Sequence, residues 1–299
     1  MKKLIIFYTI FFSFTYVNGS DFGTTGIIDI PSARMLRDGV IRTTFSSQKI
    51  SNITNITFQA TPWLQTTFRY TIFNPKSDFR SSIPGVIDGL NDRSYSAKIT
   101  ILNEKEYLPE IAIGIKDLIG TGAWSSEYIV SSKKINNFDL SVGLGWGRLA
   151  ERDVFQNPFV KINDMFSERK YSGGNQGGKV NLKQLFRGEN VGLFAGLRYK
   201  IPNTNITILG EYNSDSYQRE ISYKTISNSS PLSYGIEWNL DNNLDLSLSY
   251  QQGNQIGLSI SSLLDAKSPI REYLSEPFFS AIDGYKKSAA PENLDLILS

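Results

Sequence analysis

Histidine and cysteine are both absent from the 299 residues. Without them there is no thiol nucleophile, no Ser-His or Cys-His pair, no disulfide framework and no zinc site of the usual kind. Charge of one sign is not in excess either: 31 Lys+Arg stand against 29 Asp+Glu, a formal net charge of +2. An electrostatic nucleic-acid binder needs a basic surplus, so that class is disfavoured. Beyond Val17 no run of 18 apolar residues occurs, so no transmembrane helix follows. Mean hydropathy of −0.23 is also too polar for a bundle of membrane helices. What is present is 40% hydrophobic residues, 15 Tyr, 18 Phe and 24 Gly, enough to fold. An all-β chain of this length is routinely one domain.

The amino terminus reads as a targeting signal. Lys2 and Lys3 precede an apolar run from Leu4 to about Val17, which ends in Asn18-Gly19-Ser20. That is the charged, apolar and small-residue order of a secretory leader, with cleavage expected before Ser20. The run falls short of the roughly 20 residues that span a bilayer. No cysteine follows, so lipoprotein processing is excluded, and export without cysteine is compatible with a bacterial envelope.

After the leader, apolar residues recur with period two. Phe138, Leu140, Val142, Leu144 and Trp146 alternate with Asp139, Ser141, Gly143 and Gly145. Leu232 to Leu240 and Leu244 to Tyr250 behave alike, and similar segments run through 39–49, 54–61, 64–73, 94–102, 110–118, 124–134, 191–199, 206–213 and 255–262. The sum is about twelve strands, many near the ~9–11 residues of a tilted membrane strand. Turn residues separate them, including Pro62-Trp63, Asn136-Asn137, Asp241-Asn242-Asn243 and Gly253-Asn254.

The phase of the charges gives the pattern a direction. Arg69, Lys98, Lys116, Glu127, Asp139, Arg198, Glu211, Glu237 and Asp245 all fall opposite the apolar phase of their strands. In a membrane barrel that phase faces the lumen, because a charge on the lipid face costs about 2–4 kcal/mol at the midplane. A soluble β-sandwich would also take charges on its outer face, but Ser, Gly and Thr accompany these charges where a soluble face carries more Lys and Glu. Mixed signs on one face point to internal pairing and a filled barrel, with the 148–190 connection able to fold in or cap the mouth. The long connections, 74–93, 148–190 and 214–230, follow the third, seventh and ninth strands. That asymmetry matches long outer loops with short periplasmic turns. Trp63, Trp124, Tyr128, Trp146 and Trp238 are expected in interface girdles rather than on sugar-stacking platforms.

Candidate chemical motifs are thin. Gly173 to Lys179 fits G-x-x-x-x-G-K, but Val180 stands where a phosphate-binding loop needs Ser or Thr, and no strand leads into it. A Gly-rich outer loop is the expectation. Glu104/Glu106 and Glu151/Asp153 sit in expected turns as solvated charge. Ser125 and Ser126 have no histidine partner, and Lys133 and Lys134 form no Ser-Lys arrangement. The N-x-[ST] sites at Asn52, Asn55, Asn205 and Asn228 matter only in a eukaryotic secretory pathway. The chain reads as a non-enzyme without metal or cofactor.

The most motif-like stretch is Gly23-Thr24-Thr25-Gly26-Ile27-Ile28-Asp29-Ile30-Pro31-Ser32-Ala33-Arg34. Glycines permit a tight path, Pro31 restricts it and Arg34 closes it with a multi-donor head. This stretch resembles the segment ahead of the first strand in the YjbH-type family of exopolysaccharide-associated outer-membrane proteins, with Gly26, Pro31, Ala33 and Arg34 at the family positions. The resemblance continues through Trp63 to Tyr70, Tyr107 to Asp117, Gly120-Thr121-Gly122, Ser125 to Tyr128, Gly143 to Gly147, Phe186-Arg187-Gly188, and Glu211-Tyr212 with Asp215, covering about 22–262. It implies an outer-membrane barrel that acts without catalysis in polysaccharide secretion or assembly. The implied partners are outer-membrane lipid, an extracellular polysaccharide and periplasmic export proteins, with no nucleic acid. Larger members carry a further periplasmic region and a second barrel, and some a lipidated cysteine, none of which is expected here. The expected organisation is a leader at 1–19, an all-β antiparallel transmembrane barrel at 20–262, and a periplasmic tail at 263–299. The alternatives are a porin-like or structural barrel and a secreted carbohydrate-binding β-sandwich.

Overall fold

Alternating sequence makes a strand only if one phase has somewhere to bury, and here twelve strands bury theirs in one another's interior. In the computed structural model the described residues are 19–49, 51–73, 91–120, 122, 124–152, 154–169, 179–180, 182–218, 221, 230–241 and 243–267. The expected leader, apart from Gly19, and most of the 263–299 segment lie outside them, as does the Gly-rich stretch 173–178. The chain divides into two units, Met1–Leu264 and Asp265–Ser299. Of the second, only its first three residues are described, where the Lys267 N–H donates to Asp265 Oδ1 at 3.0 Å.

The strands are β1 (Val40–Ser47), β2 (Ser51–Thr61), β3 (Leu64–Phe73), β4 (Asn91–Leu102), β5 (Glu110–Gly120), β6 (Ser126–Ile135), β7 (Phe138–Gly145), β8 (Val154–Gln156), β9 (Lys179–Val180), β10 (Asn190–Lys200), β11 (Ile206–Tyr212), β12 (Leu232–Asn239), β13 (Leu244–Gln251) and β14 (Gln255–Asp265). All but β8 and β9 form a closed antiparallel ring. Strands β1 to β7 pair in order, β10 continues from β7, β11 to β14 follow, and β14 returns to β1. Closure abolishes sheet edges and excludes the β-sandwich alternative. The short β8 pairs with the top of β10, and β9 pairs with the end of β5.

Each expected strand is present, several longer by a few residues. The last runs to Asp265 rather than stopping at 262. The outward phase is apolar around the ring, with Phe45, Ile56, Phe58, Ile99, Leu140, Val142, Ile208, Ile236, Leu248 and Leu258 all exposed. Such a band is what hydrocarbon requires of a barrel wall. The two ends differ. One carries the connections 48–50, 74–90, 121–125, 146–189, 213–231 and 252–254, and the other carries 62–63, 103–109, 136–137, 201–205 and 240–243. The tight turns use left-handed backbone: Asn136 (φ 53), a residue that tolerates it, joins β6 to β7, and Gln252 (φ 55) followed by Gly253 (φ 79) joins β13 to β14.

Candidate functional site

The lumen is filled by the segment that precedes β1. Residues 20–34 are almost wholly buried, and Ile27, Ile28, Ile30 and Ala33 share an apolar cluster with Ala112, Tyr128, Val130, Leu149, Phe194 and Leu209 from the wall and the 146–189 connection. The barrel therefore has an apolar interior core as well as an apolar exterior. Gly196 makes room for it, since a Cβ there would meet Ile27 at 2.6 Å and Ile30 at 2.8 Å.

This plug makes two successive loops. At the first, Gly19 bridges Thr25 and the Ser20 N–H donates to Thr24 O at 2.8 Å. Its Asp21 carboxylate accepts from Ser46, Gln48 and Gln251, toward the end with the long connections. At the second, Gly26 bridges Pro31. A Cβ on Gly26 would stand 2.3 Å from Ile30 O, which explains why this motif position holds glycine. Inside that loop, the N–H groups of Ile28, Asp29 and Ile30 converge on Glu211 Oε2 at 3.0, 2.9 and 3.2 Å. Consecutive amides of this kind form an anion-binding nest, and a wall carboxylate occupies it. The segment leaves through Ala33, whose N–H donates to Ser132 Oγ at 2.9 Å, and Arg34, at the short-turn end.

Arg34 is the lower anchor. Its Nε and Nη2 donate to Asp139 at 2.9 and 2.7 Å, and its Nη1 donates to Glu104 at 2.5 Å and Glu110 at 2.9 Å. Burial opposes charge on this guanidinium, but Asp139, Glu104 and Glu110 outweigh it and hold Arg34 more firmly protonated than usual.

The sequence-selected charges divide by partner. Lys98 points at the plug, donating to Arg34 O at 2.6 Å and Ser32 O at 3.1 Å as well as to Thr25 Oγ1. Lys116 donates to Asp29 O at 2.9 Å and lies over the Phe22 ring. Glu211 and Asp139 also serve the plug. Two pairs close within the wall, Arg69 to Asp92 at 2.9 Å and Arg198 to Glu237 at 2.7 Å. Asp245 accepts from Asn239 at 2.5 Å. All eight belong to the inward phase of their strands.

Glu127 does not. On β6 it lies between Ser126 and Tyr128, whose register partners Lys116 and Gly114 face inward, so Glu127 is on the outer phase. It is buried nonetheless, because the 146–189 connection folds over the wall there. Arg169 grips its carboxylate at 2.6 and 3.0 Å and the Phe186 N–H donates at 3.0 Å. The aromatic expectation needs the same correction. Trp63 and Trp238 are exposed, but Tyr128 points inward over Gly114, and Trp146 is sealed by stacking on Phe159 and edge contact with Phe186. Trp124 is half-buried, stacked on Phe73 with Arg69 over its ring.

Several interior groups escaped the sequence reading. Arg42 and Asp92 share the inward phase of β1 and β4, and stepping by two from Thr44 or Lys98 reaches them. Asp117 carries no such signal: it takes φ 54 at an irregularity in the β4–β5 register, so it turns inward beside Lys116. Tyr217, whose hydroxyl donates to Asp29 Oδ2 at 2.7 Å, lies in a connection with no periodicity at all. In the plug, burial pushes the Asp29 carboxyl well above its ordinary range, and the charges of Glu211 and Asp21 push the same way.

Two interior spaces among the described residues are small. One of about 10 Å³ lies between Gly19, Asp21, Glu237 and Asp245, and one of about 30 Å³ lies beneath Phe22, Phe73, Trp124 and Tyr217. A single water needs about 10–15 Å³, so neither admits a sugar ring. The arrangement among the described residues is a barrel held shut by its own amino-terminal segment.

The family model described as "Exopolysaccharide biosynthesis protein YbjH" (YjbH) matches residues 18–289. The uncharacterized lipoprotein YjbH of Escherichia coli (strain K12) is 31% identical over 235 residues, which is 79% of this chain and 33% of that protein. The chain thus spans about a third of that relative's length. Among solved structures, the KdgM porin in complex with disordered oligogalacturonate aligns with a TM-score of 0.40 and 8% identity, over 75% of this chain and 97% of that one. The NanC porin aligns at 0.38 and 9%, over 75% and 97%. With the family model covering nearly all of its residues, plug included, the chain belongs to the YjbH exopolysaccharide biosynthesis family.

Proposed function

We propose that this protein is a bacterial outer-membrane barrel that takes part, without catalysis, in secreting or assembling an extracellular polysaccharide. The observation that carries the reading is the family match over residues 18–289. The apolar outer band supports a membrane setting, with the long connections outside and the short turns in the periplasm. Of the inward charges, Lys98, Lys116, Asp139 and Glu211 then hold the plug, while Arg69, Arg198, Glu237 and Asp245 brace the wall around it. Polysaccharide and periplasmic export proteins are the partners this reading requires, with lipid around the wall. A general porin is the weaker alternative, because a filled lumen conducts poorly while the plug is seated. Deleting the gene and measuring extracellular polysaccharide tests the role, and unchanged polymer would overturn it. Fractionation and heat-modifiable gel migration test the setting separately, where a soluble, unshifted protein would overturn the membrane assignment.

A further inference from the structure

The plug starts where the leader is expected to end, and its first residue is deeply placed. Ser20 is fully buried at 0% exposure, with its N–H and Oγ both directed at Thr24 O. Gly19 before it lies against the wall: a Cβ there would stand 3.2 Å from Thr44 Oγ1 and 3.3 Å from Arg42 Cδ. Beside Gly19 is the polar interstice of about 10 Å³, lined by Asp21, Glu237, Asp245 and serines of β13 and β14.

Asp21 is the unusual neighbour. It is 6% exposed, and its carboxylate accepts from Ser46 (2.9 Å), Gln48 (2.9 Å) and Gln251 (2.6 Å), all neutral donors. No cation stands within ion-pair distance of it among the described residues, whereas Asp92, Asp139 and Glu237 each have an arginine. A buried carboxylate without a countercharge is costly, and burial pushes the Asp21 carboxyl above its ordinary range.

We propose that removal of residues 1–19 leaves the α-ammonium of Ser20 buried in the lumen as the countercharge of Asp21. The step is hydrolysis of the Gly19–Ser20 peptide bond by a leader peptidase. One water is consumed, the leader departs with the Gly19 carboxylate, and the Ser20 amine takes up a proton. An α-amine ordinarily titrates near 7.7–8.0, so it is charged at neutral pH. Its three donors exceed the single amide donor it replaces: one keeps Thr24 O, and two remain for the carboxylate of the adjacent Asp21. The inference is independent of any polysaccharide role.

Intact mass of the protein purified from membranes is expected to match residues 20–299; cleavage elsewhere would overturn the proposal. An amine-acylating reagent at neutral pH, followed by peptide mapping, should label the Ser20 amine about 100-fold more slowly in the folded protein than in urea, since labelling requires local opening. Equal rates would overturn it. Asp21→Asn removes the countercharge and should speed labelling about 10-fold, while an amine that is buried but unpaired would not respond. As a check that needs no variant, the processed chain acetylated at its α-amine and refolded in detergent should expose its plug to protease about 10-fold faster. Unchanged protection would overturn the pairing.

Discussion

Replacing Arg34 with alanine tests whether the plug is a docked element that can leave the barrel intact. The substitution removes five hydrogen bonds, three to Asp139 and one each to Glu104 and Glu110. It also leaves Asp139 and Glu110 without the guanidinium they share, while Glu104 keeps Lys133 at 3.0 Å. Hydrogen bonds to charged groups are worth about 1.5–3 kcal/mol each, but their sum overstates the loss. The Glu104 and Asp139 side chains keep 23% and 19% exposure, so water replaces part of what is removed. Breaking a buried ion pair costs about 3–5 kcal/mol, and the partial exposure places this site at the lower end, about 3 kcal/mol. With a tenfold change in equilibrium for each ~1.4 kcal/mol, the undocked population should rise about 100-fold. No ring hydrogen bond is touched, so heat-modifiable migration should persist. Limited proteolysis in detergent reads the plug, and single-channel conductance reads the lumen. Adding Asp139→Asn to Arg34→Ala should recover part of the loss by relieving repulsion. Proteolysis of Arg34→Ala within threefold of the wild type, with the barrel folded, would refute the anchoring argument. A double variant worse than the single one would refute the electrostatic part.

The other expectations concern pH, packing and lipid. Burial works to raise Glu104, but the Lys134 N–H together with Arg34 and Lys133 outweighs it and holds the carboxyl below its ordinary 4.5. A depressed carboxylate stabilises above its unfolded value and loses that contribution as pH falls through the folded one. This contribution to plug protection should therefore be present at neutral pH and be lost as pH falls below the ordinary 4.5. Glu104→Gln should flatten that decline, by less than about 1 kcal/mol because the group is partly exposed; an unchanged profile would count against the contact. Gly114→Ala would set a Cβ 2.2 Å from the buried Tyr128 hydroxyl, and overpacking of this kind costs about 1–3 kcal/mol. The measurable result is a lower temperature for loss of the heat-modifiable form, and no change would refute the tight contact. Leu248→Arg places a charge on the lipid phase of β13 and should destabilise the barrel in bilayers by about 2–4 kcal/mol if it sits near the midplane. Folding titrations in lipid vesicles check this, and a neutral outcome would contradict a hydrocarbon-facing wall.

How much of this was legible in the sequence differs from element to element. Phe138 to Gly145 announced β7 because alternation is a local property, set by which neighbours share a face. For the same reason Lys98, Arg198 and Glu237 were placed on the inward side without any coordinates. Glu127 was misplaced by the same rule, since the Ser-Glu-Tyr order offers polar side chains on both phases and only the register with Lys116 and Gly114 decides between them. The 146–189 connection that buries Glu127 and Trp146 has no periodicity, so its fold over the outer wall was invisible. The plug is the extreme case. Its motif glycines and Arg34 were conspicuous, yet partners of the plug stand 70, 99 and 188 residues away, as in Arg34–Glu104, Ala33–Ser132 and Asp29–Tyr217.

The sequence by itself determined the strands, their number, the apolar outer face and the absence of His and Cys chemistry, because these follow from composition and from period-two order along the chain. Only the tertiary structure decided that the ring closes on its own amino-terminal segment, and that half of the sequence-selected inward charges serve that segment while the other half pair within the wall. The physical reason is that a lumen must be filled or hydrated, and which one occurs depends on groups that meet only after the ring has closed.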